Sequence, residues 1–326
     1  MTATASYRSR TEDLSDFVRQ TWPGSKTPLV ITIPHSGQNY DGVGHHLDLR
    51  PAVWSTLYAG VDHSVPRVTQ IHERDDVYLI QTQLARAIVD VNRGRDDHDR
   101  HSVEGSSTEP KSQGIIWNAT IAPTPEGIER MLTHPYSRQE FERLMRAAYD
   151  PFVDAVKKSM AEAYERCGHA VLFDIHSIWP NETSTVKGGI FDGAYLVGKP
   201  FDQELVEQGK IPHLYLMTSK DADGRNISCS PFLLEFIVNH FKEYSLVVQQ
   251  REVASPRFEL AHRKYARLPE YEVFSMEIVG HNGLERGRAQ GRIIFDPEPE
   301  YLKLLQDAFE AFLIGLRDLE FMKVHS

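Results

Sequence analysis

Leu29-Val30-Ile31-Thr32-Ile33-Pro34-His35-Ser36-Gly37 and Ala170-Val171-Leu172-Phe173-Asp174-Ile175-His176-Ser177 decide the reading of this chain. Each is a short β-branched or aromatic run bounded by Pro, Gly or polar residues, and each runs out onto a histidine. Runs of this kind read as strands buried on both faces of an α/β sheet. In open α/β sheets the ligand crevice lies outside the carboxyl ends of the strands. Both imidazoles therefore leave the sheet where sites are built, and neutral imidazole is the commonest metal-ligating side chain.

Working outward, the remaining elements alternate. Val77–Gln81 and Ala85–Val91 read as strands, and Asp48–Tyr58 as a helical turn with Pro51 near its start. Ser137–Arg166 has the strongest helical pattern, with Phe141, Leu144, Met145, Ala148, Phe152, Val153 and Val156 on one face. Pro151 should kink or split it and Gly168 should end it. Ala194–Val197, Leu214–Met217, Tyr244–Gln249 and Val273–Val279 read as further strands. Ser230–Phe241 reads as a helix capped by Ser230 with Pro231 in its first turn; Glu259–Arg267 and Tyr301–Leu319 complete the helices. Residues 1–25 read as an N-terminal extension with a short helix over Glu12–Arg19, and Arg95–Gln113 as a long polar loop. Strands alternating with helices predict a single α/β domain over 1–326, with a mixed, largely parallel central sheet covered on both faces.

Composition bounds the function. The chain has 326 residues, 40% of them hydrophobic and 25% charged, with a net charge of −10. That balance argues against nucleic acid as a main partner, since phosphate binding needs excess Lys and Arg. No apolar stretch approaches the roughly 20 residues that span a bilayer, and Met1–Gln20 lacks the apolar core of a signal peptide. Cys167 and Cys229 form no close pair and read as cytosolic thiols, so the expected compartment is the cytoplasm.

Two histidines from different strands would leave a zinc site needing a third ligand, commonly a carboxylate, and an open position. Gly60-Val61-Asp62-His63 offers Asp62, with His63 as the runner-up; a helix cap is the structural alternative for Asp62. Asp90-Val91-Asn92-Arg93 ends an apolar run on an Asn-Arg pair, and a guanidinium matches a carboxylate in a bidentate fashion that Lys cannot. Glu277 is the one acid in Phe274-Ser275-Met276-Glu277-Ile278-Val279, a costly place unless it is paired, protonated or metal-linked. Burial raises a carboxyl pKa, which suits a general base. Asp97-His98-Asp99-Arg100-His101 reads as a loop rather than a metal site. Asp221-Ala222-Asp223-Gly224 fails as a calcium loop because Arg225 and Phe232 stand at ligand positions. Without a Gly-x-Ser-x-Gly elbow, a serine-hydrolase reading of Ser36 or Ser177 is weak.

The ordered set Pro34-His35-Ser36-Gly37, Asp62, Asp90-Val91-Asn92-Arg93, Gly114-Ile115-Ile116, Asp174-Ile175-His176-Ser177 and Met276-Glu277 resembles the N-formylglutamate amidohydrolase family over about residues 28–290. The resemblance implies a three-layer α/β/α fold related to zinc carboxypeptidases and aspartoacylase-like deacylases. It also implies one zinc ion per chain and hydrolysis of a small N-acyl amino acid. On that resemblance His35, Asp62 and His176 are the metal ligands and Glu277 the catalytic base. Asn92 and Arg93 clamp the substrate carboxylate, and Ser36, Ser177 and Asp90 are expected to bind substrate with them. The alternatives are a metal-free binding protein for an acidic small molecule, which metal analysis would separate from an enzyme, and a related deacylase or carboxypeptidase-like hydrolase with a different acyl substrate.

Overall fold

The computed structural model describes residues 10–40, 46–47, 53, 57, 60–71, 74–107, 114–118, 130–178, 212–220, 223, 226–252, 264–266, 268, 270–279, 288–289, 292–293 and 298–319. Ten strands, β1 (Arg10–Ser15), β2 (Val18–Trp22), β3 (Leu29–Ile33), β4 (Tyr78–Thr82), β5 (Ala170–Ile178), β6 (Leu214–Thr218), β7 (Val248–Glu252), β8 (Tyr271–Val279), β9 (Arg288–Ala289) and β10 (Arg292–Ile293), are present among them. The helices are α1 (Ser64–Thr69), α2 (Arg138–Leu144), α3 (Asp150–Cys167), α4 (Pro231–Glu243) and α5 (Pro299–Asp318).

The main sheet has eight strands in the order β1-β2-β4-β3-β5-β8-β6-β7. Its centre, β4-β3-β5-β8, is parallel. The turn to antiparallel comes at β2 on one side and at β6 on the other. The mixed, largely parallel sheet predicted from the sequence is what forms.

The strict side-chain alternation of strands divides the core into two layers. Val30, Leu172 and Val273 face one cluster with Phe141, Met145, Phe152, Val156 and Met160 of α2–α3. Ile31, Phe173 and Phe274 face the other, with Val65 and Val68 of α1, Ile237 and Phe241 of α4, and Phe309 and Phe312 of α5. Phe312 is fully buried and lies edge-on to Phe173 and Phe274, at 5.8 and 6.3 Å between centroids. Helices on both faces make the fold a three-layer α/β/α sandwich. The next residues along the first face are polar: Thr32 on β3, Asp174 and His176 on β5, Ser275 and Glu277 on β8. Position by position, the apolar layer gives way to polar side chains at the carboxyl ends of the central strands.

Helix ends follow local chemistry. Ser230 accepts from Leu233 N with Pro231 in the first turn, and Gly168 closes α3 at φ 80°, a conformation that favours glycine. Pro151 is accommodated without a sharp break. It sits in the first turn of α3, and a π-helical turn over Met145–Tyr149 joins α2 to α3. Arg95 pairs with Asp150 and with Glu142, tying the polar loop to this junction.

Three expectations change. Residues 12–19 form no helix. Residues 10–22 make an antiparallel hairpin on the sheet edge. Val18, Gln20 and Trp22 point inward with Arg19 exposed, and buried Gln20 Nε2 donates to Ser159 Oγ at 2.7 Å. Ala85–Val91 is not a strand. It curls through turns whose amides bond within the segment, Ile88 N to Ala85 O and Arg93 N to Asp90 O. Tyr244 caps α4, and the strand expected at 244–249 begins later, at Val248. The elements expected at 48–58, 194–197 and 259–267 fall wholly or largely outside the described residues. Among the described residues no helix is long and apolar enough to cross a membrane.

Candidate metal centre

Strand geometry brings the two histidines together. β3 and β5 are parallel neighbours with Thr32 opposite Asp174. His35, just past the end of β3, therefore faces His176, which sits two residues beyond Asp174 on the longer β5. The chain after His35 is held by backbone contacts: Asn39 N donates to Gln83 O and Ala85 N to Asn39 O, at 2.8 and 3.0 Å. Gly37 is required here, since a Cβ would lie 2.2 Å from Leu84 O. Asp62 joins through the backbone, its N donating to His35 O at 2.9 Å. Its carboxylate does not cap α1, whose cap position is His63 with no side-chain cap.

His35, Asp62 and His176 are all buried, and their ligand atoms converge. His35 Nδ1 and His176 Nδ1 are 3.0 Å apart, and each lies 3.5 Å from Asp62 Oδ2. Ligands held at about 2.0–2.1 Å around a tetrahedral zinc stand about 3.3–3.4 Å from one another, so this triangle has the dimensions of a metal face. Asp62 Oδ2 is buried and accepts no hydrogen bond, while Oδ1 accepts from Ser177 Oγ at 3.2 Å.

The outer atoms complete the pattern. His35 Nε2 lies 2.9 Å from Asp90 Oδ1, and His176 Nε2 lies 2.8 Å from Asp174 Oδ2. A carboxylate at Nε2 fixes the proton there and leaves the Nδ1 lone pair for a cation, as in carboxylate–histidine–zinc arrangements. Two lone pairs 3.0 Å apart repel unless a cation, a proton or a metal, lies between them. Burial works against an imidazolium at His176, but the Asp174 and Asp62 carboxylates and the Glu277 charge override it and raise its pKa well above the ordinary value. Burial likewise works against the Asp62 carboxylate, and the His176 and His35 imidazoles beside it hold it well below the usual range. The donor set and the orphaned oxygen fit a divalent metal.

The other predicted residues cluster around this centre. Glu277, half-buried, is the register partner of His176 on β8 and of Tyr215 on β6. Asn92 Nδ2 lies 3.4 Å from Asp174 Oδ2 and 3.3 Å from His176 Nε2. Arg93 is buried with Nε 3.6 Å from Asp90 Oδ2. Asp90 is fully buried against His35, Arg86 and Arg93. Ser36 is half-buried beside His35. His98 lies outside the cluster: Nδ1 is 2.9 Å from Ser106 Oγ and the ring packs edge-on to Phe141, while Asp99 Oδ1 accepts from the amides of His101 and Ser102.

Sequence reasoning missed Thr32, whose Oγ1 donates to Asp174 Oδ1 at 2.5 Å, and Arg86, whose Nη2 donates to Asp90 Oδ2 at 2.9 Å. One signal was available, since Thr32 is the only polar residue in β3.

Residues 27–254 match the sequence model of a family described as N-formylglutamate amidohydrolase. An N-formylglutamate deformylase from Pseudomonas aeruginosa is 25% identical over 162 residues, 47% of this chain and 53% of its own, so the match spans about half of that relative. The crystal structure of an N-formylglutamate amidohydrolase from Ralstonia eutropha superposes with a TM-score of 0.67 and 21% identity. That alignment covers 92% of this chain and 97% of that one, and it shows that the fold is shared.

Proposed function

The chain belongs to the N-formylglutamate amidohydrolase family, and from that membership and the site geometry we propose that it is a zinc-dependent hydrolase of small N-acyl amino acids, with N-formylglutamate as the leading substrate. The observation that carries the reading is the triangle of His35 Nδ1, His176 Nδ1 and Asp62 Oδ2, backed by Asp90 and Asp174. His35, Asp62 and His176 would hold the ion. When bound, it supplies Lewis acidity at the scissile carbonyl and acidifies water.

The protein's own groups do the rest. Glu277, across from His176 on β8, takes a proton from the attacking water and returns it to the departing nitrogen. The amide C–N bond breaks, the water oxygen joins the acyl carbon, and the products are formate and the free amino acid. Asn92 and Arg93 hold the substrate carboxylate, so that binding energy fixes the amide in place. Asp90 and Asp174 hold the two imidazoles in the tautomer the ion needs. The free thiols of Cys167 and Cys229 support a cytoplasmic setting.

The test is formate release from N-formylglutamate, measured on zinc-loaded protein and again after chelation and dialysis. The reading expects release that disappears with the metal and returns on adding zinc. Undiminished release after metal removal, or none from fully loaded protein, contradicts it.

A further inference from the structure

Asp90 is fully buried and divides its oxygens between two tasks. Oδ1 faces His35 Nε2 at 2.9 Å and accepts from Asn92 N at 3.1 Å. Oδ2 accepts from two nitrogens of Arg86, Nη2 at 2.9 Å and Nε at 3.3 Å, with Arg93 Nε further off at 3.6 Å. A carboxylate held at one oxygen can still turn about its Cβ–Cγ bond. A planar guanidinium gripping the second oxygen fixes the plane as well.

Arg86 is itself fixed. Its guanidinium carbon sits 5.0 Å from the centroid of the buried Trp117 ring, a cation–π contact. Trp117 is pinned to the same turn: its N donates to Ala87 O at 3.1 Å, and two residues away Asp90 N donates to Ile115 O at 2.8 Å. Residues 85–93 and 115–117 thus form one rigid pair of segments. The order of contact is Trp117, Arg86, Asp90, His35 and then the converging Nδ1 atom. On the other side, the second oxygen of Asp174 accepts from the neutral hydroxyl of Thr32.

We propose that Arg86, braced by Trp117, is a positioning residue for the metal centre: through Asp90 it holds the His35 imidazole with Nδ1 aimed at the point shared with His176 and Asp62. This rests on the metal reading of the preceding section. It predicts that Arg86 sets metal affinity and ligand geometry without touching substrate.

The experiment measures the zinc dissociation constant by chelator competition, and the visible spectrum of the cobalt(II)-substituted protein, for wild type, Arg86→Lys and Arg86→Met. Loss of an outer partner of a ligating histidine costs about 10–100-fold in metal affinity. Arg86 stands one contact further out than such a partner, behind Asp90, so Arg86→Met should weaken zinc by about the lower end of that range, about 10-fold, and shift the cobalt bands. Arg86→Lys keeps the charge but not the fork, and should fall between Met and wild type. Folding is checked by circular dichroism. If the Met variant does not fold, Trp117→Phe takes its place, removing the larger ring face while keeping an aromatic in the core; it should weaken zinc by less than the factor above. Folded variants with wild-type affinity and an unchanged cobalt spectrum overturn the proposal, even where hydrolysis is lost, because Arg86 would then act on substrate. A wild-type protein that takes up neither zinc nor cobalt fails the metal reading itself, and this inference with it.

Discussion

Thr32→Val tests the polar layer beneath the metal centre. The substitution is nearly isosteric and keeps a β-branched residue in the middle of β3, so strand propensity and packing change little. It deletes one hydroxyl, whose donation to Asp174 Oδ1 at 2.5 Å is the contact that holds this oxygen. Asp174 is 2% exposed, so bulk solvent has little access to the place of the lost donor. A hydrogen bond to a buried charged group is worth about 2–3 kcal/mol, most of it the penalty of leaving the carboxylate oxygen unsatisfied. At about 2.1 cal/mol/K per residue, unfolding 326 residues carries about 0.7 kcal/mol/K of entropy, so the Val variant should melt about 3–4 °C lower. Thr32→Ser is the control. It keeps the hydroxyl and loses one methyl, about 0.5–1 kcal/mol by the lost transfer and cavity terms, or about 1 °C. Differential scanning calorimetry of the metal-free proteins reads both. A Val variant that melts level with or above the Ser variant refutes the reasoning, since the hydroxyl would then contribute nothing to holding Asp174.

Glu277→Gln should fold and bind zinc like the wild type while kcat for formate release falls about 10²–10⁴-fold, the usual worth of a positioned acid–base group; a near-wild-type kcat would move the role to another residue, Asp174 first. Glu140 offers a pH test away from the centre. The Ser137 hydroxyl and backbone N–H bonds pull its carboxyl from 4.5 down to about 2. A depressed carboxyl stabilises the fold above its unfolded pKa and loses that contribution as pH falls toward the folded one. The gap in melting temperature between wild type and Glu140→Gln should therefore be full near about pH 6 and close as pH falls from about 4.5 toward about 2; a gap that ignores pH contradicts this.

The parts of this protein legible in its sequence are those where one signal had one cause. β3 and β5 are short apolar runs because both faces are buried, and their terminal histidines follow from where the runs stop. The cap and proline of α4 and the glycine closing α3 were likewise local. Ala85–Val91 misled because apolarity reports burial and not backbone pairing: Ile88, Val89 and Val91 are all buried, but in a curled segment that pairs with residues 115–117. The N-terminal hairpin was obscured by charge. Edge strands carry charged side chains, and Arg10, Glu12, Asp13 and Arg19 mask the alternation of Val18, Gln20 and Trp22. In the site, sequence order could nominate Asp62 but not aim its carboxylate, which depends on how residues 60–64 return beneath His35. Arg86 and Trp117 carried no signal, because each acts only through a neighbour the fold brings to it.

The most direct test of the account is a zinc titration of the metal-free protein with formate release from N-formylglutamate as the readout, run on wild type and on His176→Ala. The account predicts a wild-type rate that climbs with added zinc and breaks sharply at about one equivalent per chain, as a single catalytic site requires, with no rise in the folded His176→Ala protein. A rate independent of zinc, or a His176→Ala protein that follows the wild-type curve, would contradict it.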